Sequence, residues 1–159
     1  MKCISTMAIL LAFVLLTGCA GTSLRVNAPY TPGANQKFTY EIVNKGQMSD
    51  EALTIFRNRF ESRLIASQLL TTSTDGAARP VQIVIENYYM RHGAARALVG
   101  VMAGEDNILS TIIVKEAKTG NVLSTFEVES VNPTALGSAH ELIQEHADRI
   151  VSYLKSGKL

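Results

Sequence analysis

Tryptophan is absent from this 159-residue chain, and aromatic residues make up only 6% of it. That is a thin supply for stacking on sugar rings or nucleobases, so carbohydrate-binding and base-stacking sites are not expected. Cysteine is nearly as scarce: Cys3 and Cys19 are the two, and none follows position 19. A domain beyond that point must rely on its apolar core, without disulfides or a thiolate cluster. Neither sign of charge dominates, with 15 Lys and Arg against 14 Asp and Glu. There is thus no basic surplus of the kind that binds nucleic acid. Gly-x-Ser-x-Gly, Gly-x-Gly-x-x-Gly, a phosphate loop and Cys-x-x-Cys are all missing, so none of the common nucleophile, dinucleotide, phosphate or thiol-redox motifs is present.

What is present begins at the N-terminus. Met1 and Lys2 give a positive start, and Met7 to Leu16 is an unbroken apolar run. Thr17, Gly18 and Cys19 follow. A charged start, a short apolar stretch and a small-residue end are the parts of a secretory signal peptide. The run is too short for a membrane-spanning helix, which needs about 20 residues. Leu16-Thr17-Gly18-Cys19 also resembles the lipobox of bacterial lipoproteins. That resemblance implies removal of residues 1–18, with Cys19 acylated as the new N-terminus. Each buried CH₂ of an acyl chain contributes about 0.8 kcal/mol, so several chains together anchor stably. Ala20 stands where inner-membrane lipoproteins often carry Asp, which implies the outer membrane, periplasmic side.

Removing residues 1–18 leaves 141 of 159 residues, enough for one domain with a real core. Loss of Lys2 leaves 14 basic and 14 acidic residues, a net charge of zero. Residues 19–36 contain Gly21, Pro29, Pro32 and Gly33 and read as the lipidated Cys and a flexible tether. Within it, Leu24-Arg25-Val26 is at most a short edge strand. A single domain is expected over residues 37–156.

Phe38, Tyr40 and Ile42 alternate with Thr39 and Glu41, the period of a strand. Ser49 is an N-cap candidate, with Asp50 and Glu51 in the first turn, where negative charge suits the helix dipole. Leu53, Phe56, Phe60 and Leu64 then give an apolar helical stripe, and a helix is predicted from about Asp50 to Leu70. Val81 to Met90, Ile108 to Glu116 and Val122 to Ser130 read as strands. The last two are joined at Thr119-Gly120-Asn121 as a hairpin. Ser138 is predicted to cap a final helix whose stripe is Ile143, Ala147, Ile150, Val151 and Leu154, ending at Gly157. The order β-α-β-β-β-α predicts an α+β fold. It is a two-layer sandwich with a four-stranded, mostly antiparallel sheet and two helices on one face.

This plan is similar to that of small bacterial envelope lipoproteins of uncharacterised function. The residues that carry the likeness are the Ala/Gly-rich Gly93 to Gly100, the strand Ile108 to Glu116 and the turn Lys118 to Leu123. In plan it also resembles the domain shared by the N-terminal region of the Tol–Pal propeller protein and the curli secretion lipoprotein. The resemblance implies an accessory or assembly role in the envelope and implies no catalytic residues.

Two stretches invite a chemical reading. His140-Glu141-Leu142-Ile143-Gln144 starts like a zincin helix, but the second ligand position holds Gln144 and His146 lies on another face. The polar residues His140, Glu141, Gln144 and His146, with Glu145 and Asp148, are expected on a solvated helix face, and no metal or other cofactor is predicted beyond a covalent lipid on Cys19. The second stretch is the connection from Arg91 to Gly104. It is long for two strands that a tight turn would join, and it is apolar at Ala97, Leu98, Val99, Val101 and Met102, with Gly100 between them. Exposed apolar loops mark contact sites, so Ala97 to Met102 are the candidate contact with a partner. The rival reading folds these side chains back into the core.

The expected function is therefore non-enzymatic. The chain reads as a lipid-anchored periplasmic accessory or assembly protein, bound to the bacterial membrane through its lipid. It would contact another envelope protein or itself, and no nucleic acid. The alternative is a binding module or carrier for a small apolar ligand such as a lipid.

Overall fold

The computed structural model describes residues 21–72, 77–91, 104–133 and 137–158. Among the described residues five strands and two helices follow one another: β1 Gly21–Ala28, β2 Phe38–Asn44, α1 Asp50–Ala66, β3 Arg79–Tyr89, β4 Asp106–Lys115, β5 Val122–Asn132 and α2 Ala139–Ser156. The strands form one sheet in the order β1-β5-β4-β3-β2. The fold is α+β with a five-stranded mixed sheet, and this corrects the expected four strands in two ways.

First, residues 21–28 are not a tether. Thr22, Leu24 and Val26 turn toward the core while Ser23, Arg25 and Asn27 are exposed, the two-residue period of a half-buried strand. Strand β1 pairs antiparallel with β5, Gly21 opposite Val131 and Val26 opposite Phe126. The residues after it are also tied down. The Tyr30 hydroxyl donates to the Leu154 carbonyl at 2.5 Å, and its ring meets Tyr153 edge-on at 6.0 Å. Gly157 adopts a left-handed φ of 63°, and a Cβ there would come within 2.6 Å of Pro32 Cδ. The strap of residues 29–36 therefore crosses the C-terminal end of α2.

Second, β2 and β3 run parallel, Phe38 opposite Arg79 and Asn44 opposite Ile85. Parallel neighbours need a crossover, and α1 supplies it. The other pairings are antiparallel.

The helices form where their caps and stripes predict. Ser49 caps α1 by accepting from the Ala52 amide at 3.3 Å. Ser138 and Glu141 form a reciprocal capping box on α2, and Gly157 ends it. Helix α1 is shorter than expected, stopping at Ala66 rather than Leu70. Leu69 and Leu70 instead run alongside β2, where the Phe38 amide donates to the Leu69 carbonyl at 2.7 Å.

Phe56, Phe60 and Leu64 of α1 and Ile143, Ile150 and Leu154 of α2 share one apolar cluster with Phe38, Ile83, Ile112 and Phe126 of the sheet. Burying each such side chain contributes about 1.5–3 kcal/mol, the main source of stability in a domain without disulfides. Asp148 of α2 binds Arg59 of α1 at 2.7 Å and Arg63 at 3.2 Å, linking the helices along their outer edge. Among the described residues no helix covers the opposite sheet face, where Arg25 and Glu127 face each other at 3.6 Å.

Candidate functional site

Among the described residues, two clusters of buried polar side chains join several elements. In the first, alternation along β4 puts Ser110 between Ile108 and Ile112 on the core face, and β5 does the same for Ser130 after Val128. From α2, His146 reaches between them. Its Nδ1 lies 2.8 Å from Ser130 Oγ and its Nε2 lies 2.9 Å from Ser110 Oγ. Thr22 of β1 extends the chain, with its hydroxyl 2.8 Å from Ser130 Oγ. His146, Ser110 and Ser130 have no solvent exposure. Burial pushes the imidazole down to a pKa of about 3, so it is neutral at ordinary pH, with one ring nitrogen donating and the other accepting.

A hydroxyl beside an imidazole is the start of a nucleophilic pair. Here both ring nitrogens are engaged by hydroxyls, and all three side chains are sealed from solvent. The arrangement satisfies buried polar groups and ties β1, β4, β5 and α2 together. The sequence reading placed His146 on a solvated helix face; the structure puts it in the core, because its ring is held by two serines on neighbouring strands.

The second group sits at one end of the sheet, where β3 ends and β4 begins. Arg91 and Asp106 pair there with neither side chain exposed, Arg91 Nε lying 3.1 Å from Asp106 Oδ1. Arg91 Nη2 donates to Asp106 Oδ2 at 3.2 Å and to the Asn132 carbonyl at 2.8 Å, and Nη1 donates to the Gly104 carbonyl at 3.0 Å. The Arg91 amide also donates to Asp106 Oδ1 at 2.8 Å. A buried ion pair is tolerated when its remaining hydrogen-bonding capacity is met in this way. The pair fixes both ends of the connection between β3 and β4 and ties them to the end of β5.

That end of the sheet is the candidate functional site. Gly21 of β1 lies opposite Val131, Asp106 opposite Asn132, and Asn107 opposite Tyr89, so the start of β1 and the junction of β3 with β4 share one level. Tyr88 packs against the core, whereas Tyr89 is 50% exposed. At the other end, Val26, Pro29, Tyr153, Gly157 and Lys158 line an open, mostly apolar groove of about 440 Å³.

The residues singled out from sequence divide as follows. Leu16, Thr17, Gly18, Cys19 and the stretch Ala97 to Met102 lie outside the described residues. His140 is exposed, its Nε2 2.9 Å from Gln144 Nε2. Glu141 serves the cap, accepting from the Ser138 amide at 2.9 Å, and these hydrogen bonds hold its carboxyl below the usual range. Among the described residues no group of three or more His, Cys, Asp or Glu converges to hold a metal, and no helix is long and apolar enough to cross a membrane. Sequence reasoning missed the Arg91–Asp106 pair. Its one signal was opposite charge at the two ends of the same long connection.

The family model for a domain of unknown function, DUF4410, matches residues 34–138. No curated protein matches the chain in sequence. Among solved structures it is similar to a point variant of the PelC dodecamer from Paraburkholderia phytofirmans. That match has 13% identity and a TM-score of 0.59, covering 87% of this chain and 100% of that one. A second PelC dodecamer from the same organism gives 13% identity and a TM-score of 0.58, covering 86% and 99%. A DUF4136 family protein from Bacteroides thetaiotaomicron gives 8% and 0.47, covering 89% and 100%. At 13% identity the likeness to the PelC structures is one of fold alone.

Proposed function

This chain belongs to the DUF4410 family, and we propose that it is a lipid-anchored accessory or assembly protein of the bacterial cell envelope. It sits on the periplasmic side of the outer membrane and acts by protein–protein contact. The observation that carries this reading is the order Met7 to Leu16, Leu16-Thr17-Gly18-Cys19 and then, after one residue, a folded sandwich. A signal with a lipobox-like end directly before a compact domain suits a protein that is exported and held at a membrane. The fold adds support for contact with further copies, since a protein of the same fold is described as a dodecamer. Ala97 to Met102 are the proposed contact residues. The proposal does not rest on the resemblance in plan to the Tol–Pal and curli domains, which assumes an element order without β1.

The test is photo-crosslinking in cells from a probe at Val99, alongside Cys19→Ser fractionation. A discrete protein adduct, either self or another envelope protein, supports the reading. Unchanged membrane association of Cys19→Ser overturns the anchor.

A second reading draws on the groove lined by Val26, Pro29, Tyr153, Gly157 and Lys158. Its apolar walls, with Lys158 among the residues lining it, suit a small amphiphile such as a fatty acid. Co-purifying lipid in native mass spectra, lost on Val26→Asp, would support this reading.

A further inference from the structure

Because β1 is part of the sheet, an anchor on Cys19 has almost no slack. Ala20 alone separates Cys19 from Gly21, where the ladder with β5 begins. Two Cα–Cα steps span at most about 7 Å. A strand bonded into a sheet cannot swing away without breaking its ladder, so whatever holds Cys19 holds this end of the sheet. The free tether expected from the sequence would have let the domain turn over; β1 does not.

The same end carries Tyr89. Only Ile65, Tyr89 and Val122 are exposed among the large apolar and aromatic side chains described. Val122 is at the opposite end of the sheet and Ile65 is near the end of α1. Tyr89 extends from the last position of β3, opposite Asn107, with Gly104 beside its ring. A Tyr ring with an apolar body and a polar tip is suited to the headgroup region of a bilayer. Among the described residues the exposed charges near this end are mostly acidic, Glu105 together with Asp50, Glu51 and Glu141 at the helix starts, while Lys45 pairs with Glu86 at 3.5 Å. Anionic headgroups repel acidic charge, so the lipid on Cys19 has to be what holds this end at the membrane.

Resting on the lipid-anchor reading above, we propose that the domain stands end-on on the bilayer. The Gly21–Asn132–Asp106–Tyr89 end faces the phospholipid headgroups, and Tyr89 lies at their level. The Lys118–Gly120 hairpin then points away, about 30 Å further out by the length of β4.

The mature chain has no thiol besides Cys19, so single labels are clean. The full chain, lipidated in cells, is purified and placed in vesicles of phosphatidylethanolamine and phosphatidylglycerol. A fluorophore is attached at Tyr89→Cys or at Lys118→Cys, and quenching by headgroup-borne nitroxide is read. At least threefold stronger quenching at position 89 is expected. Ten Gly/Ser residues inserted between Ala20 and Gly21 should abolish the difference. Acyl mass on Cys19 with equal quenching at both positions overturns the orientation alone. A difference that survives the insertion overturns the short leash as its cause. Absence of acyl mass on Cys19 overturns the anchor reading and this inference together.

Discussion

Arg91 and Asp106 meet 3.1 Å apart with both side chains closed to solvent, at the two ends of the connection between β3 and β4. Each charge is met by partners inside the protein. Removing one partner strands the other, which costs about 3–5 kcal/mol, whereas replacing both by apolar side chains is far milder. Arg91→Met and Asp106→Leu should each lower stability by several kcal/mol in urea titrations. The double variant should recover most of that loss. Additive losses would contradict a mutual pair.

His146 predicts the pH response. Its pKa is about 3 folded and near 6.5 when unfolded. Above pH 6.5 the group is neutral in both states and adds no pH dependence. As pH falls from 6.5 toward 3 the unfolded chain takes a proton that the folded chain refuses. Full stability is therefore present above pH 6.5 and is lost below it, at up to about 1.4 kcal/mol per pH unit from this group. Comparing urea midpoints of the wild type and His146→Asn between pH 4.5 and 7 isolates the effect. The variant should be less stable at pH 7 but show a shallower decline. Parallel declines would refute the assignment.

Strand β1 predicts the effect of truncation. Compared with a chain starting at Ala20, one starting at Tyr30 loses the β1–β5 ladder and the packing of Leu24 and Val26. Two partly buried aliphatic side chains represent about 3 kcal/mol, and the exposed β5 edge favours aggregation. A large fall in melting temperature is expected. A tether could be removed without loss, so an unchanged melt would contradict the strand.

Gly157 predicts a local effect. Its φ of 63° costs an L side chain about 1–2 kcal/mol. A Cβ would also press on Pro32 Cδ at 2.6 Å and the Tyr30 carbonyl at 2.8 Å. Gly157→Ala should lower stability by at least about 1 kcal/mol and speed hydrogen exchange across residues 30–36. Normal exchange in that strap would place the strain elsewhere.

Local pattern alone identifies much of this protein. Alternation at Phe38, Tyr40 and Ile42, the stripe at Phe56, Phe60 and Leu64, and the caps Ser138 and Gly157 are each read within one element. Their periods and end signals are imposed by one strand or one helix, so they are readable without knowing the neighbours. Leu16-Thr17-Gly18-Cys19 is likewise a short linear pattern, and the lipid anchor it implies is a proposal that rests on that pattern. Tertiary structure decided the rest. Strand β1 is stable only because β5, about a hundred residues later, offers it a ladder, while the prolines and glycine after it look like linker. The parallel pairing of β2 with β3 depends on where α1 carries the chain. His146 reads as a surface residue, and no local pattern marks Arg91 or Asp106 for burial, because isolated polar groups are costly to bury. They are buried here because each meets partners from other elements, and no neighbour in sequence announces a partner that only folding delivers.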